Sequence, residues 1–89
     1  MEFEWDQKKA ASNELKHAVT FEEATEVFAD DYSSVIHDPD HSSVEERFVL
    51  FGRTRADRYL AVGFTDRSGR IRIINARLMT RRERKAYEE

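Results

Sequence analysis

Three histidines and eleven arginines are the side chains of this 89-residue sequence best suited to moving protons and holding phosphate. Imidazole titrates closest to neutral pH. Guanidinium carries a rigid fork of donors that matches phosphate or carboxylate oxygens. Acid–base chemistry on a phosphate ester needs a base, a stabiliser for developing charge and an acid for the leaving group. His17, beside Lys16, is the candidate acid or base, although a histidine there also suits the C-terminal end of a helix. Arg47, Arg72 and Arg77 are the candidates for phosphate contact and transition-state stabilisation. Each would serve equally well in an ion pair with carboxylates of the N-terminal half. Further candidate contacts to a nucleic-acid strand are Lys16, Arg53, Tyr59, Arg67, Arg70, Arg84 and Tyr87. Tyr87 lies four residues past Glu83, on one helical face, where packing against a sheet is the simpler role. His37, Asp38, Asp40 and His41 flank a loop with spacing too irregular for a metal site, so a solvated loop is expected. No nucleotide-binding loop, Ser-His-Asp set or zinc signature is present, and no metal or cofactor is expected.

The distribution of charge says more than its sum. The net charge is −3. Residues 1–46 hold thirteen Asp/Glu against three Lys, whereas residues 47–85 hold twelve Lys/Arg, eleven of them Arg, against three Asp/Glu. A basic half of this kind fits a polyanion partner, or equally an acidic protein surface. An arginine-rich composition inherited from a GC-rich genome would look the same. There is no cysteine, so neither a disulfide framework nor a Cys-ligated zinc is available. The start, Met-Glu-Phe-Glu-Trp-Asp, has no basic stretch or apolar run, and is not expected to be a signal peptide. Apolar runs of four residues or fewer cannot span a bilayer, so the expectation is a soluble cytoplasmic protein without a membrane partner.

These residues need elements to hold them. Phe3 and Trp5 alternate with Glu2 and Glu4 as a short strand. Asp6 is an N-cap for a helix running to about His17, with Ala10, Ala11 and Leu15 as inward candidates. Thr20-Phe21-Glu22-Glu23 is a capping box, and Phe21, Ala24, Val27 and Phe28 form the stripe of a second short helix. Ser33–Asp38 predicts a short strand, and Asp38-Pro39-Asp40-His41-Ser42-Ser43 a loop. Strands follow over Glu46–Thr54, Arg58–Thr65 and Arg70–Arg77. Arg55-Ala56-Asp57 and Asp66-Arg67-Ser68-Gly69 turn the chain between them. Thr80-Arg81-Arg82-Glu83 opens a last helix to about Glu88. The order is β-α-α-β-β-β-β-α: one α+β domain over residues 1–89, its tightly linked strands antiparallel.

Alternation assigns the faces. Phe48/Leu50, Leu60/Val62/Phe64 and Ile71/Ile73 form the expected core face beneath the helices. Ile71 and Ile73 alternate with Arg70, Arg72, Ile74 and Ala76. The opposite face gathers Arg47, Arg53, Tyr59, Thr65, Arg70 and Arg72, a shallow basic surface suited to single-stranded RNA or simply solvated.

An ordered series of residues resembles the BrnT family of toxins. It begins with Phe3-Glu4-Trp5-Asp6, Lys9-Ala10, Asn13, Lys16-His17 and Thr20-Phe21-Glu22-Glu23-Ala24. Arg47 ahead of Gly52 follows, then Thr65-Asp66-Arg67, Gly69, Ile71-Arg72-Ile73-Ile74-Asn75-Ala76-Arg77, and Arg81-Arg82-Glu83-Arg84 with Tyr87-Glu88. The series covers essentially the whole chain, with Ala18 where glycine is usual, Asp66 where Glu is common and Asn75 where Ser is common. The resemblance implies a RelE-like fold: an antiparallel twisted sheet with two N-terminal helices and one C-terminal helix. It also implies a metal-independent endoribonuclease of a type II toxin–antitoxin system that inhibits translation in the bacterial cytoplasm. Its implied partners are an RNA substrate and a BrnA-type ribbon-helix-helix antitoxin, through which alone it would meet DNA. The competing expectation is a non-catalytic protein- or RNA-binding module using the basic sheet face.

Overall fold

A computed structural model describes residues 1–41 and 45–89; Ser42 and Ser43 of the expected loop lie outside the described residues. The chain runs β1 (Glu2–Glu4), α1 (Gln7–His17), α2 (Phe21–Thr25), a 3-10 turn (Glu26–Ala29), β2 (Ser34–His37) and a second 3-10 turn (Pro39–His41). It continues through β3 (Phe48–Arg53), β4 (Tyr59–Arg67), β5 (Arg70–Leu78) and α3 (Arg81–Glu88). The expected element order stands, and the five strands form one sheet in the order β1-β5-β4-β3-β2. The β2–β3, β3–β4 and β4–β5 pairs are antiparallel, whereas β1 lies parallel to β5, with Phe3 opposite Ile71. Among the described residues no helix is long and apolar enough to cross a membrane.

One face of the sheet carries α1, α2 and the first 3-10 turn. Val19, Phe21, Ala24 and Val27 from above meet Leu50, Leu60, Val62, Phe64, Ile73 and Ala76 from below. Phe28 ties the sheet edge to its centre, with edge-to-face contacts at 5.2 Å to Phe3 and 5.2 Å to Phe64. The stripe Phe21, Ala24, Val27, Phe28 is therefore the buried one, although the helix tightens to 3-10 geometry after Thr25.

The first helix is turned differently from expectation. Leu15 is 91% exposed and Ala11 is exposed, while Asn13 is the buried residue of α1. The reason is polar. Asn13 Nδ2 donates to the carbonyls of Val19 and Ala76 at 3.1 and 2.8 Å, and its Oδ1 accepts from the Ala76 N–H at 3.0 Å. Those three bonds, rather than the sparse apolar residues of α1, set its rotation.

The helix ends carry the expected caps, with one difference. Asp6 accepts from the N–H groups of Lys8 and Lys9 at 2.8 and 3.0 Å, and these bonds, that to Lys9 foremost, hold its carboxyl below the usual range. Thr80 and Glu83 form a reciprocal capping box. At α2 the Thr20 hydroxyl accepts from Glu23 N–H, while the Glu23 carboxylate lies 3.3 Å from Arg58. The β4–β5 hairpin is tighter than expected: Asp66 and Arg67 belong to β4, and Ser68 and Gly69, at φ 51° and 84°, make the two-residue turn.

Ala18 closes α1 in the left-handed conformation, φ 55° and ψ 36°, with its N–H bonded to Glu14 O. A Cβ in that region costs about 1 kcal/mol, and glycine avoids it. Ala18→Gly is expected to stabilise the fold by about 1 kcal/mol, read as a rise in the urea midpoint at constant m-value. A lower midpoint would show that Ala18 is not strained.

Candidate nucleic-acid interface

The face of the sheet opposite α1 and α2 is built by β5, β4 and β3 in that order, and a single irregularity decides what it presents. Gly63 pairs with Asn75 and Phe64 with Ile73, so Ile74 has no opposite number on β4. This β-bulge changes the parity of β5. Strict alternation from Ile71 and Ile73 would leave Ala76 outside and send Asn75 and Arg77 into the core. The bulge reverses that: Ala76 is fully buried under α1, and Asn75 and Arg77 join Arg70 and Arg72 on the open face.

Two concavities meet at the bulge and share Ile74, Asn75 and Arg77. One, of about 220 Å³, lies over Ala61 and Gly63, with Arg47 and Val49 on the β3 side and Asp38 and His41 at its margin. The other, of about 400 Å³, lies between β5 and α1 and is lined by Lys9, Ser12, Lys16 and His17. Of the four candidate catalytic residues, Arg47 lines the cleft and His17, with Lys16, lines the groove. Arg77 borders both concavities.

Arg77 is held from above by α3. Its guanidinium makes a two-pronged contact with Glu83, 2.7 and 3.0 Å, and donates to Leu78 O at 3.3 Å. Glu83 is pulled down to about 2, first by the Arg77 hydrogen bonds and then by the Thr80 N–H, against the opposing effect of burial. The pair pushes Arg77 further up from its already high value. A carboxyl lowered on folding contributes stability that is complete above its unfolded value of 4.5 and is lost as pH falls toward about 2. Glu83→Gln is therefore expected to flatten the acid limb of Tm against pH over that window. An unchanged acid limb would show that the pair does not stabilise the fold.

The remaining candidates lie elsewhere on the face or engage one another. Arg72 donates to Glu4 at 2.7 Å, joining β5 to β1, and Arg70 lies 3.6 and 3.8 Å from Glu2 and Glu4. Arg67 forks onto Glu45 at 3.1 and 3.0 Å. Arg53 lies 3.6 Å from Asp57 at the β3–β4 tip. Arg84 stacks 3.9 Å over the Tyr59 ring, whose edge-to-face neighbour is Tyr87. Tyr87 donates its hydroxyl to Asp30 and is pushed up to about 12, by burial first and then by that carboxylate. It stays protonated at neutral pH and packs α3 onto the sheet. His41 contacts Asp38 at 2.9 Å and His37 contacts Glu46; among the described residues no group of three or more His, Cys, Asp or Glu is gathered as for a metal.

Sequence reasoning passed over Lys9 and Ser12, and treated Asn75 only as a departure from a family pattern. Lys9 and Ser12 had a signal in helical spacing: with Lys16 they follow the i, i+3, i+7 rule on one face of α1. Asn75 had none without the bulge.

Known proteins match the sequence and the fold. The family described as ribonuclease toxin, BrnT, of type II toxin–antitoxin systems matches residues 5–83. The 1.1 Å crystal structure of the Brucella abortus ribonuclease toxin, BrnT, superposes with a TM-score of 0.67 at 20% identity, covering 91% of this chain and 99% of that one. At that identity the likeness speaks for the fold alone. No curated protein matches the sequence.

Proposed function

The chain belongs to the BrnT family of ribonuclease toxins of type II toxin–antitoxin systems, and from that premise we propose that it is a metal-independent endoribonuclease that inhibits translation. It works as a single domain in the bacterial cytoplasm and is neutralised by a ribbon-helix-helix antitoxin of the BrnA type. Contact with DNA passes through that antitoxin.

The observation that carries this reading is the bulge at Ile74, which turns Arg77 toward the solvent between the His17 groove and the Arg47 cleft. A strand crossing the bulge brings its scissile phosphate to Arg77. The ribose 2′-oxygen attacks phosphorus and the bond to the 5′-oxygen breaks, leaving a 2′,3′-cyclic phosphate and a free 5′-hydroxyl. One proton leaves the 2′-OH and one reaches the departing oxygen. His17 is the group in the groove whose type suits either transfer. Arg77 and Arg47, from opposite sides of the cleft, neutralise charge growing on the phosphoryl oxygens. Arg72, further back along β5 and tied to Glu4, holds a flanking phosphate, with Lys16, Arg67 and Arg70 extending the track. The groups nearest the bulge are guanidinium, ammonium and imidazole, with the Asp38 carboxylate at the cleft margin, and the cations support catalysis without a metal.

The test is incubation of the purified, antitoxin-free protein with end-labelled RNA, with and without EDTA, beside the Arg72→Ala/Arg77→Ala double variant. Cleavage that survives EDTA, leaves 5′-hydroxyl ends and vanishes in the double variant is expected. Loss of cleavage with EDTA would overturn the metal-free mechanism. Intact RNA throughout, even with translating ribosomes, would favour a non-catalytic binding module. That alternative draws on one observation: Arg67, Arg70, Arg72 and Arg77 all already face carboxylates.

A further inference from the structure

We infer that the cleft over Ala61 and Gly63 is a nucleobase subsite in which the Asn75 carboxamide hydrogen-bonds the edge of one base of the RNA. The inference rests on the ribonuclease reading and adds to it a residue that senses sequence. Five observations lead to it. First, the floor is made of the two smallest available side chains, Ala61 and Gly63, on the central strand β4, which leaves about 220 Å³ of space above the sheet. Second, the glycine is required by the asparagine: a Cβ at Gly63 would lie 2.7 Å from Asn75 Oδ1, 3.0 Å from Nδ2 and 3.1 Å from Cγ. The carboxamide therefore lies flat across Gly63. Third, that carboxamide makes no hydrogen bond with any described residue, and it offers a donor and an acceptor in one plane. Fourth, Val49 and Ile74, on strands either side of β4, give the cleft apolar walls for the faces of a flat ring. Fifth, Arg72 and Arg77 precede and follow Asn75 on β5, so cations stand on both sides of it along the strand.

A base presents adjacent donors and acceptors on its edge, and a carboxamide pairs with such an edge through two parallel hydrogen bonds. The phosphates on either side of that base then meet Arg72 and Arg77. The bulge serves this arrangement directly, because without it neither Asn75 nor Arg77 would face the cleft.

The experiment measures binding of a 2′-O-methyl RNA hexamer, which cannot be cleaved by 2′-oxygen attack, and of six versions with one abasic position each. They are titrated against the wild-type protein, Asn75→Ala and Gly63→Ala. In the wild type one abasic position is expected to weaken binding about tenfold more than the others. In Asn75→Ala that special position disappears, and the intact hexamer binds about tenfold more weakly. Gly63→Ala, which retains the carboxamide but pushes it off the floor, should behave the same way. Asn75 is exposed, so the alanine variant keeps its fold, and its thermal midpoint is the control.

Equal losses at every abasic position, or an Asn75→Ala protein with the wild-type pattern, would overturn the subsite while leaving the ribonuclease reading intact. Adenosine or uridine monophosphate displacing the hexamer at micromolar concentration would overturn it in favour of a mononucleotide pocket. A wild-type protein that binds no hexamer would overturn both this subsite and the reading it rests on.

Discussion

Arg77→Ala is expected to lower the rate constant for RNA cleavage by about 10²–10³-fold, the cost of removing one well-placed stabiliser of transition-state charge. Among the described residues, Arg77 is the one arginine bordering both the Arg47 cleft and the His17 groove. Arg72 borders neither and is bonded to Glu4 on the edge strand, so Arg72→Ala costs less than about tenfold. Arg77→Lys restores little, because a single ammonium cannot reproduce the two-pronged geometry. A structural explanation must be separated from the chemical one, since Arg77 also anchors Glu83 of α3. Glu83→Gln supplies the separation. It weakens the same anchor but leaves the guanidinium in the site. If Arg77 acts on phosphate, Glu83→Gln retains cleavage while Arg77→Ala loses it. If the anchor is what matters, the two variants fall together. An Arg77→Ala protein within about threefold of wild type in single-turnover cleavage would remove Arg77 from the mechanism.

The largest expected effect on stability belongs to Asn13. It is the buried polar side chain that joins α1 to β5, with two donated bonds and one accepted bond, all to backbone atoms. Asn13→Leu keeps nearly the same volume but leaves the Val19 carbonyl and both polar groups of Ala76 unsatisfied under the helix. At about 1 kcal/mol or more for each buried unsatisfied group, the loss is about 3 kcal/mol. For a domain of this size that is a fall in Tm of about 12–24 °C. A loss below about 1 kcal/mol would mean water replaces the amide at no penalty. Function follows the same bonds. His17 lies four residues beyond Asn13 on α1, so releasing Asn13 also releases the candidate proton-transfer group, and cleavage falls even where the variant remains folded.

The sequence carried the element order in full, because each signal was local. Asp6 and Thr80 cap the helices they were expected to cap, and the Ser68-Gly69 turn left β4 and β5 no arrangement except a hairpin. What it did not carry was information stored across the chain. The parallel pairing of β1 with β5 joins residues 2–4 to residues 70–72 and has no local signature. The bulge left only a faint trace: Ile73-Ile74 breaks the alternation, but nothing local says which way the strand shifts, and in the fold the shifted register hands the Ala76 backbone to Asn13. Leu15 was misjudged for a related reason, since hydrophobicity was used to orient a helix that a buried amide orients. At the site, His17, Arg47 and Arg77 were legible by chemical type, and their convergence at Ile74 was not.

The place of β5 in the sheet has a consequence for how the protein comes into being. The last strand to be made lies between the first strand and the rest, as β1-β5-β4. A nascent chain can pair β2, β3 and β4 as they emerge, but β1 has nothing to join until residues 70–72 follow. Asn13 likewise waits for Ala76, and α1 stays undocked until then. Such sequence-distant pairing delays the organised state until β5 has been made. Arg72, Asn75 and Arg77 ride on that same late strand. A chain without β5 thus lacks both the partner that docks α1 and the candidate site residues, and it gains the two together.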